Sequence, residues 1–121
     1  MPNERALNLS KYNISKHRYY ELKAKVQQYN DWKMVLQSNA STDEMERCKR
    51  NINAIETAVE KSMVVLPMLC DSKTMKKHLI SLITKKESLT KLQTYYEINL
   101  NKNIYYEWRR VFYCELNKIV D

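Results

Sequence analysis

The chain has 121 residues, 44% of them hydrophobic and 29% charged, a length that suits one compact domain with at most a small appendage. Glycine is absent and proline occurs twice, so P-loops, dinucleotide fingerprints and tight hairpins lose the residue they need, and an all-α fold is expected. The excess of 21 Lys and Arg over 14 Asp and Glu gives a net charge of +7, which favours polyanions: nucleic acid first, an anionic membrane surface second.

Residues 1–14 read as a polar, Asn-rich arm, and Ser15 reads as the N-cap of a first helix. Tyr19, Leu22, Val26, Tyr29, Trp32 or Lys33, and Leu36 recur every three or four positions, predicting one amphipathic helix to about Leu36. Gln37 to Ser41 reads as a loop. Thr42 is then expected to cap a second helix, marked by Met45, Cys48, Ile52, Ile55, Val59 and Leu66 and stopping near Pro67. The two make an antiparallel hairpin over residues 15–66. The heptad-like run Met45, Cys48, Ile52, Ile55 and Val59 is a candidate homodimer or partner interface, with the core of a monomeric bundle as the alternative; Ser62 interrupts it.

Shorter elements follow over residues 71–121. Asp71 or Ser72 caps a helix with Met75, Leu79 and Leu82 or Ile83. Lys85 to Tyr96 holds another, with Leu89 and Leu92. Asn101 caps a third through Ile104, Trp108, Phe112 and Leu116. Short helix, turn, longer helix is the helix-turn-helix plan, with Glu97-Ile98-Asn99-Leu100 as the turn and Asn99 or Glu97 where many such turns carry glycine.

On the last helix, Ile104, Trp108, Val111, Phe112, Leu116 and Ile119 are assigned inward, which leaves Lys102, Asn103, Tyr106, Arg109, Arg110 and Tyr113 outward. Arg reads guanine bidentately and Asn reads adenine, while Lys and Tyr suit phosphates. Lys102, Asn103 and Tyr106 are therefore expected near base edges or the adjoining backbone, Arg109 within reach of a base, and Arg110 and Tyr113 at phosphate. Residues 73–118 hold ten Lys or Arg against four acidic residues, and residues 1–70 hold eleven against eight. Lys73, Lys76, Lys77, Lys85, Lys86 and Lys91 would surround the reader and meet phosphate.

The segment from Ile14 to Lys23 echoes that from Leu100 to Arg109, with Lys, Tyr, Tyr and Glu coinciding. It is a candidate second nucleic-acid surface at Lys16 to Tyr20, or a chance recurrence of a cap before an aromatic helix. His17 and His78 lack partners at metal-ligand spacing. Cys48, Cys70 and Cys114 are odd in number and form no C-x-x-C pair, so reduced core thiols are expected, with no metal and no cofactor. The longest uncharged apolar run, Met63 to Cys70, is broken by Pro67, so neither a secretory leader nor a membrane span is expected. No nucleophile, base and orienter constellation is apparent, and no enzyme activity or small-molecule substrate is expected.

Ser88-Leu89-Thr90-Lys91-Leu92, together with the run from Ile98 to Tyr113, resembles the C-terminal helix-turn-helix of small phage and prophage regulators of Gram-positive bacteria. It is similar in particular to the RinA/ArpU-type late-gene transcription activators, whose reader is like region 4 of sigma-70 factors. The segment from Ile14 to Lys23, with Gln28-Tyr29 and Trp32-Lys33, resembles the front half of such proteins. Departures fall at Glu97, where glycine is common, and at Trp108, where a basic residue is common. The resemblance implies a transcription regulator acting on double-stranded DNA in the bacterial host cytoplasm, in contact with RNA polymerase or another host protein. It also implies that Lys102, Asn103, Tyr106, Arg109 and Arg110 read DNA. A phage-encoded module that inhibits a host factor, with autoregulatory DNA binding, is the alternative.

Overall fold

The computed structural model describes residues 9–66, 72–84 and 102–120. Every regular element among them is helical. The α-helices are α1 (Lys16–Gln27), α2 (Tyr29–Leu36), α3 (Thr42–Ser62), α4 (Ser72–Thr84) and α5 (Lys102–Ile119). Single 3-10 turns at Ser10–Tyr12 and Met63–Val65 precede α1 and follow α3. The expected helix within Lys85 to Tyr96, the turn Glu97 to Leu100 and the cap Asn101 lie outside the described residues, and so do Lys85, Lys86, Lys91 and Cys70.

The expectation of a polar arm over residues 1–14 is corrected at its described end, residues 9–14. Leu9 and Ile14 are buried core residues, and the 3-10 turn between them ends at Asn13, whose φ of 60° is left-handed. Asparagine takes the role that glycine has elsewhere, since its short polar side chain tolerates this region. Ser15 then caps α1 as predicted, its hydroxyl accepting the Arg18 N–H at 3.0 Å.

The single helix expected to Leu36 is two. At Gln28 the backbone N–H bonds back to the carbonyls of Lys25 and Val26, closing α1, and the Gln28 carbonyl accepts the Trp32 N–H to begin α2. Neither proline nor glycine causes the break. Its reason is tertiary: α1 packs against α4 and α5, whereas α2 lies on α3, and the break lets one apolar stripe serve both surfaces. Tyr19, Leu22, Val26, Tyr29 and Trp32 are accordingly all buried.

α3 starts at the residue expected to cap it, Thr42, and the cap lies one residue earlier. Ser41, not Thr42, is the N-cap, its hydroxyl accepting the Glu44 N–H at 3.2 Å. Ser41 and Glu44 stand in capping-box spacing, with Asp43 and Glu44 favourably placed in the first turn against the helix dipole. The interface assigned to this helix is corrected by burial. Cys48, Ile52, Ile55 and Val59 are covered by the chain's own α2 and α5, and Met45 is half-buried, so the stripe is core.

One hydrophobic cluster joins α1 to α5. α5 lies inside it, packed on α3 and α1, so residues 15–66 and the described part of residues 71–121 share a core. α4 buries Met75, Leu79, Leu82 and Ile83 as its spacing predicts.

Candidate nucleic-acid interface

α5 divides along its length. Lys102 and Asn103 in its first turn are exposed, and Tyr106 is half-buried with the Lys102 ammonium 6.0 Å from its ring centre. From Trp108 onward the helix enters the core: Trp108, Arg109, Phe112, Tyr113 and Leu116 are buried. The assignments of Arg109 and Tyr113 to a DNA-facing stripe are therefore corrected. Arg109 is 5% exposed, donates to the Tyr19 hydroxyl at 3.3 Å, and lies over the rings of Tyr105 and Tyr106 at 5.7 and 6.0 Å. Tyr113 packs edge-on to Tyr19 at 5.0 Å, and burial pushes its phenol above the ordinary range, with Arg109 opposing. The guanidinium is held by aromatic faces and hydroxyls, a cation–π setting that lets apolar neighbours surround a charge. The inward assignment of Ile119 also changes: it is exposed at 39%. A spacing argument alone cannot separate these cases, because Arg109 and Tyr113 border the apolar stripe and either sense of helix rotation suits the pattern.

Arg110 remains near the surface, half-buried, with Nη1 3.2 Å from Glu107 Oε2. Glu107 is the hub of a small network: Tyr12 donates its hydroxyl to Oε1 at 2.8 Å, and the Lys11 ammonium stands 3.9 Å away. The Tyr12 hydrogen bond and these cations hold the Glu107 carboxyl below the usual range, against the opposing effect of burial. Burial and the Glu107 carboxylate push Tyr12 up to about 12. Nothing local in the sequence marks this network, since Lys11 and Tyr12 lie far from Glu107 along the chain.

The segment echoing α5 is divided between core and surface. Arg18 donates from Nε to Asn117 Oδ1 at 2.7 Å and from Nη2 to the Val120 carbonyl at 2.8 Å, placing a cation at the C-terminal end of α5. Tyr19 is in the core; Lys16, His17 and Tyr20 are exposed. The start of α1 thus clasps the end of α5.

Ser62, which interrupts the α3 pattern, also has a partner. Its hydroxyl accepts the Trp108 indole N–H at 2.8 Å and donates to the Val59 carbonyl at 2.8 Å, all buried. The departure from the resemblance at Trp108 and the break in the α3 stripe are one contact.

A second basic region lies between α2 and α4. Lys73, Lys76 and Lys77 of α4 and Lys33 of α2 line a cleft of about 380 Å³ with Tyr29, Asn30, Glu56, Ile80, Ser81 and Thr84. The Tyr29 hydroxyl donates to Glu56 Oε2 at 2.6 Å, and burial with this carboxylate pushes the phenol above its ordinary range.

Among the described residues no group of three His, Cys, Asp or Glu side chains is placed to hold a metal ion, and no helix is long and apolar enough to cross a membrane. Comparisons with protein-family models, with curated proteins and with solved structures give no match to this chain.

Proposed function

We propose that this protein is a duplex-DNA-binding transcription regulator of the phage type, with the first turn of α5 as its reader. The observation that carries this reading is the polarity of α5, whose exposed end offers an ammonium and an amide, Lys102 and Asn103, while its far end is anchored in the core. Readers of the helix-turn-helix kind present the N-terminal residues of one helix to base edges and use the rest for packing. Asn103 suits adenine and Lys102 suits guanine or phosphate, with Tyr106 and Arg110 beside them for the backbone. Arg109 and Tyr113 have no part in the contact. The net charge of +7 supports the general attraction to phosphate, and the resemblance to RinA/ArpU-type activators supports the target.

The test is titration of a duplex at several salt concentrations. Lys102→Ala is expected to weaken binding to every sequence and to lower the salt slope by about 1, the contribution of one phosphate-neutralising cation. An unchanged slope and affinity would remove Lys102 from the interface.

A protein-interaction role is favoured by one observation: Val64 is 83% exposed beside the half-buried Met63, in the turn that ends α3. That reading predicts a stoichiometric complex with a host protein, disrupted by Val64→Asp, and only weak, salt-labile affinity for DNA.

A further inference from the structure

The α4 wall of the α2–α4 cleft is basic over its first turn and neutral beyond it. This wall consists of Lys73, Lys76, Lys77, Ile80, Ser81 and Thr84, positions that fall on one helix face from start to finish. At about 1.5 Å per residue this wall is ~16 Å long, and its three lysines occupy the first ~6 Å. Lys33 adds a fourth ammonium from the α2 wall, its Nζ 4.9 Å from the Tyr29 ring centre. The carboxylate lining the cleft is Glu56, which already accepts the Tyr29 hydroxyl, while Lys76 reaches out to Glu60 at 3.2 Å. Four cations against Glu56 in the cleft and Glu60 at its edge leave a net positive field, which low-dielectric walls focus. Beyond the lysines the α4 wall changes to the aliphatic side of Ile80 and the hydroxyls of Ser81 and Thr84, and α2 contributes the amide of Asn30.

A track for a nucleic-acid backbone would distribute cations along its length. Here three of the four are gathered within about one turn of α4, next to a stretch of the same wall with apolar surface and hydrogen-bonding groups. A volume of about 380 Å³ lies in the range of small-molecule sites. We propose that this cleft binds a nucleoside polyphosphate, its phosphates among Lys33, Lys73, Lys76 and Lys77 and its nucleoside along Ile80, Ser81 and Asn30. Lysine ammoniums, acting as point charges on flexible stems, supply the phosphate contacts without a glycine-rich loop. The site is an effector site, with no bond made or broken, and it is separate from the DNA-reading turn of α5.

Isothermal titration of the intact chain with ATP, GTP and inorganic tripolyphosphate tests the proposal. Saturable binding of one nucleotide per chain is expected, with tripolyphosphate competing but binding at least several-fold more weakly. Lys73→Ala/Lys77→Ala should lose at least about tenfold in affinity, whereas the control Lys49→Ala/Lys61→Ala, of equal charge change at exposed positions on α3, should bind as the parent does. Circular dichroism of both variants establishes that they fold. Heat without saturation, equal losses in both double variants, or equal affinity for tripolyphosphate and the nucleotides would overturn the proposal. So would a duplex-binding defect in Lys73→Ala/Lys77→Ala with no nucleotide binding by the parent, which would assign the cleft to the DNA backbone. Lys102→Ala leaves nucleotide binding intact, so failure of the cleft and failure of the DNA reading are distinguishable.

Discussion

Trp108 and Ser62 join helices far apart in sequence through one buried hydrogen bond, and their energetics are asymmetric. Ser62→Val removes the acceptor and strands the indole N–H in the core, which is expected to lower stability by about 1–3 kcal/mol in denaturant unfolding. Adding Trp108→Phe removes the stranded donor as well, so the double variant should lose less than the sum of the singles; strict additivity would mean that the two residues are uncoupled. The Tyr12–Glu107–Arg110 group makes a pH prediction. Glu107 is depressed in the fold, so its contribution is present above its ordinary value of 4.5 and is lost as pH falls through the lower folded value. Tyr12 is raised, so its contribution is complete below 10.0 and is lost as pH rises toward about 12. Stability of the parent should therefore fall at both extremes, and the acid part of that fall should shrink in Glu107→Gln. An identical acid limb in parent and variant would show that Glu107 is not a source of the pH dependence. Glu107 is partly exposed, so the effect is small and screened by salt.

Helix caps and helix breaks decide how α1, α2 and α3 meet. Ser41→Ala should cost about 1 kcal/mol, a typical loss for an N-cap, while Thr42→Ala should change the melting temperature little; the reverse order would place the cap at Thr42. The sequence carries much of this level. The stripe from Tyr19 to Trp32, the α4 residues Met75 and Leu79, and Trp108, Phe112 and Leu116 of α5 are all legible from spacing, because burial on one face imposes the period of the helix. The break at Gln28 is not legible, since no proline or glycine marks it and its cause is the choice of different partners by α1 and α2. Arg109 is misread for a related reason. Residue type argues for solvent, but the tyrosines that enclose it come from α1 and from α5 itself, and only packing brings Tyr19 to it. At the candidate interface, Lys102 and Asn103 are legible because they precede the core stripe, whereas Lys11 and Tyr12 meet Glu107 through the fold.

For the molecule as a whole, the consequence is a single core that encloses the stripe first assigned to dimerisation. Ile55→Ala should destabilise the protein by about 2–5 kcal/mol through a cavity, with a denaturation midpoint independent of protein concentration. A midpoint rising with concentration would return Ile55 to an intersubunit role. The two proposed sites, the first turn of α5 and the cleft between α2 and α4, lie on different elements of this core. Selection from a random duplex pool by the parent and by Lys102→Ala/Asn103→Ala in parallel tests whether the α5 first turn reads DNA. An enriched motif is expected for the parent and its loss in the variant, with the variant still folded. Enrichment of the same motif by both, or of none by the parent, would contradict the assignment of the α5 first turn as a DNA reader.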